Sequence, residues 1–123
     1  MGEKIQKFED LEVWKESMRL AEKLYNQLKD CHNFALRDQI QRSALSIPSN
    51  IAQGYGRKRT VEYVRCLYIA YGSVCELETQ TMLSGDLGYV EKERFQELIG
   101  EIGDVERMLK ALIQSLENKH SNP

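Results

Sequence analysis

Apolar residues recur along most of the chain at alternating steps of three and four, the spacing that lines one face of an α-helix. From the start they fall at Leu11, Trp14, Met18, Ala21, Tyr25 and Leu28. A second stripe runs through Leu36, Ile40, Ala44, Ile47 and Ile51, with Pro48 inside it. Proline removes one helix hydrogen bond and crowds the carbonyl four residues back, so this helix is expected to kink at Pro48 or, as the lesser alternative, to divide. The third segment is apolar along two lines, Val61, Val64, Tyr68, Tyr71 and Cys75, and Leu67, Ala70, Val74 and Leu77. A helix with two apolar faces must cover both, either at the centre of a bundle or against another subunit. The last stripe is Phe95, Leu98, Ile102, Val105, Leu109, Leu112 and Leu116, widened by Ile99 and Ile113.

The segments between the stripes carry turn chemistry. Asp30 to Asn33 breaks the first pattern, Gly54 and Gly56 weaken the end of the second, and Gly88 is suited to a left-handed cap after the third. Asp10 and Thr60 are expected to cap the first and third helices. Helices are thus predicted at roughly 10–30, 34–57, 60–87 and 91–117, with a tail that frays from about Asn118. Short loops between four such helices favour an all-α, up-down-up-down antiparallel four-helix bundle occupying residues 1–123 as one domain.

Charge changes this picture locally. The formal net charge is only −2, but between residues 37 and 65 the six basic side chains Arg37, Arg42, Arg57, Lys58, Arg59 and Arg65 face only Asp38 and Glu62, a local balance of +4. Such clusters can replace the counterions condensed on a nucleic acid, and these six are the candidate nucleic-acid-binding residues. Arg57, Lys58 and Arg59 could instead simply sit at a helix C-terminus, stabilised by the helix dipole and pointing into water. Tyr55 and Tyr63 flank the basic turn and are candidates for base stacking, whereas most tyrosines read as core rings with the hydroxyl at the edge.

Other chemistry finds little support. No nucleophile, base and orienting group can be assembled from spacing, and Gly54-Tyr55-Gly56 follows a helix and lacks the third glycine of a dinucleotide fingerprint. Cys31, Cys66 and Cys75 form an odd set without metal-ligand or disulfide spacing and read as free, mostly buried thiols; no metal or cofactor is expected. The beginning lacks a secretory apolar core and no run approaches a membrane span, so a cytoplasmic protein without membrane partners is expected. Ser46, Pro48 and Asn50, with Ser43, Ser49 and Gln53, make a polar neighbourhood on a core-facing helix, where hydroxyls and amides can satisfy carbonyls freed by the proline. Ala70, Gly72 and Ser73, and likewise Gly100 and Gly103, would allow close packing within the bundle or between subunits.

The segments QIQRSALSIPSNIAQGYGRKR, YIAYGSVCELETQ and GDLGYV, together with FEDLEVWKESMRLAEKLY, resemble a four-helix-bundle family encoded in intervening sequences of bacterial 23S ribosomal RNA genes. To that family the accessory variability protein of diversity-generating retroelements is related. Gln39, Arg42, Ser46, Pro48, Asn50, Gly54, Arg57, Gly72, Ser73 and Glu76 match its recurring motif. The chain departs from it at Gln53, where the family usually has glutamate between alanine and glycine, and in the loop before the second helix. The resemblance implies an all-α bundle that assembles as a homopentamer and binds RNA or a protein partner such as a reverse transcriptase, while the residues themselves point to no enzyme and leave RNA and DNA alike open.

Overall fold

A computed structural model describes residues 4–121. A short 3-10 turn, Phe8–Asp10, leads into four helices: α1 (Glu12–Leu28), α2 (Phe34–Tyr55), α3 (Thr60–Asp86) and α4 (Lys92–Ser121). Each helix packs on its neighbours in sequence, and α1 closes the arrangement against α4. The diagonal pairs α1–α3 and α2–α4 do not approach, so the four form the up-down-up-down antiparallel bundle that short loops favour. None of the described helices is long and apolar enough to cross a membrane.

The core is built from Leu20 and Leu24 of α1, Ile40, Ile47 and Ile51 of α2, Leu67, Val74 and Leu77 of α3, and Leu98, Ile102, Val105 and Leu109 of α4. The α2 and α4 stripes face inward as the spacing predicts. In α1, Ala21 and Leu28 of the expected stripe are buried, but the rest of the buried line is turned by about one residue, onto Val13, Ser17, Leu20 and Leu24. Trp14 and Met18 flank that line and Tyr25 is exposed, because the large amphipathic side chains sit at the margin of the core while compact aliphatic ones fill it.

The helix ends differ in detail from the sequence expectation. Asp10 does not cap α1: its carboxylate accepts the backbone N–H groups of Gln6 and Lys7 at 3.0 and 3.3 Å, closing the turn before the helix. Those bonds hold its pKa below the ordinary carboxylate value. Thr60 is the first residue of α3 rather than its cap, and Arg59 takes the cap position without a side-chain bond. Asn33 caps α2, its Oδ1 accepting the Leu36 N–H at 3.1 Å. At the end of α3, Gly88 has φ of 79°, and the N–H groups of Tyr89 and Gly88 reach the carbonyls of Ser84 and Gly85 at 3.0 and 3.1 Å, the double closure of a Schellman motif. The last helix continues to Ser121, past the end expected near residue 117, with Lys119 and His120 complementing the negative end of its dipole.

α2 is continuous through the buried Pro48, so the proline does not divide it. A bend there remains an expectation from proline geometry. The thiols are free, but only Cys66 is buried; Cys31 is half-buried and Cys75 is exposed on the outer side of α3. The glycines that allow close packing inside the bundle are also different ones. An added Cβ at Gly72 or Gly100 would meet nothing within 4 Å, and at Gly103 only the Arg107 guanidinium at 3.4 Å. At Gly54 it would lie 2.8 Å from the Cys66 Cβ, and at Gly85 2.6 Å from the Phe95 ring. Lys23 ties α1 to α4 through Glu97 and Glu101 at 3.0 and 3.1 Å.

Candidate nucleic-acid interface

The α2–α3 turn is set by Gly54. Its missing side chain lets α2 rest against Cys66 and the backbone of Tyr63 on α3, so the two helices close tightly just before the chain reverses. The Gly56 N–H bonds the Ala52 carbonyl at 3.2 Å and the Arg57 N–H bonds the Gly54 carbonyl at 3.0 Å, which anchors the backbone from which the cations project. Tyr55 and Tyr63 meet edge to face with ring centroids 6.0 Å apart. Burial and the neighbouring Tyr55 push the Tyr63 hydroxyl up to about 12. The two rings are thus engaged with each other as packing elements of the turn.

Arg57, Lys58, Arg59 and Arg65 are all exposed at this end of the molecule. None of them, nor Arg42, has a carboxylate within 4 Å among the described residues. Arg57 and Arg65 line one polar cavity of about 270 Å³ together with Gln53, Glu62, Cys66 and Ile69. Arg42 lies farther along α2, roughly 16 Å from Gln53 by the helical rise, on the same outward side. Arg37 is separated from the cluster. It occupies the first turn of α2, nearly the whole helix length, roughly 28 Å, from the turn. There it pairs with Asp38 at 3.2 Å and stacks over Phe34 at 4.8 Å. Sequence proximity in charge counts therefore grouped residues from opposite ends of one helix.

The polar motif lies midway along the same α2–α3 contact. Ser46 Oγ and Ser73 Oγ are 2.8 Å apart, and the Asn50 amide donates to both the Ser46 carbonyl, at 2.8 Å, and the Ser46 hydroxyl, at 3.0 Å. Two residues after Pro48, the Asn50 side chain thus serves a helix carbonyl and a cross-helix hydroxyl bond together. Gly72, adjacent to Ser73, points the other way, into open space.

Part of the outer side of α3 is apolar. Leu67, Ala70, Val74 and Leu77 enter the core, while Val61, Tyr68, Ile69, Met82 and Leu83 remain exposed, Val61 at 52% and Tyr68 at 51%. Val61, Tyr68, Cys75 and Met82 repeat every seventh residue, so they form one line along the helix. Contrary to the core placement expected of most tyrosines, Tyr25, Tyr68 and Tyr89 are exposed. Beside this line a groove of about 480 Å³ opens between α3 and α4, bordered by Tyr68, Tyr71, Lys110, Ile113, Gln114 and Glu117. The Tyr71 hydroxyl bonds Glu106 at 3.2 Å, and Lys110 lies 5.5 Å from its ring centre. No group of three or more His, Cys, Asp or Glu side chains suited to a metal occurs among the described residues.

Among curated proteins, none matches the chain significantly. A crystal structure of a protein with unknown function from the S23 ribosomal protein family of Bacteroides thetaiotaomicron superposes with a TM-score of 0.78 at 22% identity, covering 82% of this chain and 97% of that one. That likeness is one of fold. The model of the 23S rRNA-intervening sequence protein family matches residues 9–111, which takes in α1 to α3, the Pro48 motif, the basic turn and α4 as far as residue 111, and the chain belongs to that family.

Proposed function

We propose that the protein is a non-catalytic, homo-oligomeric binding protein that contacts RNA or DNA through the basic α2–α3 turn. The observation that carries this reading is the set of exposed cations without carboxylate partners, Arg42, Arg57, Lys58, Arg59 and Arg65. Unpaired cations on a chain of net charge −2 give a local positive field that a polyanion can meet without sequence readout. Arg37, paired with Asp38 at the far end of α2, contributes least to it. The outward apolar line of α3 supports self-assembly, since a second copy would cover it.

The test is titration of labelled RNA and DNA oligonucleotides over a series of salt concentrations. With about four to six phosphates neutralised, the logarithmic affinity falls with a slope of about 0.9 per phosphate on duplex. Replacing Arg57, Lys58 and Arg59 together by alanine lowers that slope by about one or more; an unchanged slope would exclude this turn.

The same apolar face favours a second reading, a scaffold or accessory subunit that docks another protein, such as a reverse transcriptase, without touching nucleic acid. A polypeptide that copurifies after nuclease treatment, joined with absence of oligonucleotide binding, would establish that reading instead.

A further inference from the structure

Two of the turn's cations differ from the others in what surrounds them. Arg57 leaves a backbone fixed by its own N–H bond to Gly54, and Arg65 stands in the second turn of α3, yet both border the cavity that Gln53 lines from α2. Lys58 and Arg59 do not line it. The cavity's convergence depends on Gly54, because any side chain there would push α3 away at Cys66. Glu62 borders the same space but reaches neither guanidinium within 4 Å, so neither arginine is held in an ion pair. The end of α2 brings partial negative charge and the start of α3 partial positive charge to this place, and these largely offset each other. The balance is then decided by two guanidinium groups against one carboxylate.

From this geometry we infer that Arg57, Arg65 and Gln53 form a seat for one backbone phosphate of a nucleic acid. This deepens, and rests on, the reading of the turn as a nucleic-acid interface. Two planar guanidiniums can each donate paired N–H bonds to phosphate oxygens, and the Gln53 amide adds a neutral donor. A cavity of about 270 Å³ admits a phosphate with part of its sugar while leaving the base outside, so the seat reads backbone and not sequence. Gln53 is the residue that keeps it open to an anion. A glutamate there would place a second carboxylate among the same atoms and provide the arginines with an internal partner. Lys58 and Arg59 supply only diffuse attraction, which salt screens.

The experiment measures fluorescence anisotropy of a labelled single-stranded RNA 20-mer, and of its duplex, with the full chain across salt concentrations. Arg57→Ala, Arg65→Ala and Gln53→Glu each lower affinity roughly tenfold and reduce the salt slope by about one, while Lys58→Ala with Arg59→Ala lowers affinity by less than any of the three. All altered side chains are exposed, and circular dichroism with light scattering confirms that fold and assembly persist. Wild-type binding that survives Arg57→Ala, Arg65→Ala and Gln53→Glu within twofold overturns the seat and leaves the interface reading standing. No binding of either probe by the wild type at low salt overturns both. Inorganic phosphate that perturbs the Arg65 and Cys66 amides in the NMR spectrum without displacing the RNA shows a seat for free phosphate and overturns the assignment to the polymer backbone.

Discussion

Ser46 Oγ on α2 lies 2.8 Å from Ser73 Oγ on α3, and Asn50 completes the bond by donating to Ser46 from one turn away. Ser73 is buried, so its hydroxyl has no water to replace this partner. The three side chains fix the axial register of α2 against α3, which in turn sets which residues meet at the turn.

Ser73→Ala therefore destabilises the fold by about 1 kcal/mol, the usual net worth of one hydrogen bond, and Ser46→Ala by a similar amount. In a double-mutant cycle monitored by urea denaturation the two losses are non-additive, because each removes the same bond. Full additivity would mean that the two hydroxyls act separately.

Gly54→Ala is the more severe change. Its Cβ meets the Cys66 Cβ at 2.8 Å and the Tyr63 carbonyl oxygen at 3.1 Å, and neither can rotate aside. We expect a loss of about 1–3 kcal/mol, the range for overpacking, and a wider α2–α3 turn. At Gly85 the obstacle is the Phe95 ring, whose side chain can turn away, so Gly85→Ala costs less. Thermal denaturation of the two variants side by side checks the order.

The exposed line on α3 predicts an oligomer. Tyr68→Glu with Met82→Glu places two charges on it and yields single subunits by light scattering at micromolar concentration, with helical content unchanged because both positions are exposed. Gly72→Ala gains about 1 kcal/mol of helix stability in that dissociated background, yet weakens assembly of the otherwise unaltered chain if backbones meet at this face. A wild-type chain that is already a monomer removes the basis for both expectations.

Tyr63 makes alkaline stability pH-dependent. Its hydroxyl is raised from 10 to about 12 by burial first and by Tyr55 second. The folded state thus keeps a proton that the unfolded chain releases, so this contribution is fully present below pH 10 and is lost as pH rises toward 12. Tyr63→Phe flattens that loss. Stability curves for the two proteins between neutral and alkaline pH that fall in parallel would show that Tyr63 is not responsible.

The helices were legible in the sequence because a three-and-four apolar period has no other economical reading, and short loops leave an antiparallel bundle as the simplest closure. The α2 and α4 cores follow from Ile40, Ile47, Ile51, Ile102 and Leu109 alone. Spacing did not decide which of two adjacent lines in α1 is buried, since Trp14 and Tyr25 look as apolar as Leu20 and Leu24 until neighbouring helices fill the space. Caps were misassigned at Asp10 and Thr60 because a cap depends on one local bond direction, which residue type only biases.

A helical chain, an α3 with more apolar surface than one core needs, and a gathering of positive charge between residues 37 and 65 all follow from the order of residues. Which α3 face is left uncovered, the close contact at Gly54 and not at Gly72, and the cavity shared by Arg57 and Arg65 with Arg37 a helix length away emerge only once the helices pack. The physical reason is the same in each case. Periodicity and charge are properties of single segments, whereas contact and convergence are set by how far apart, and at what rotation, two packed helices come to rest.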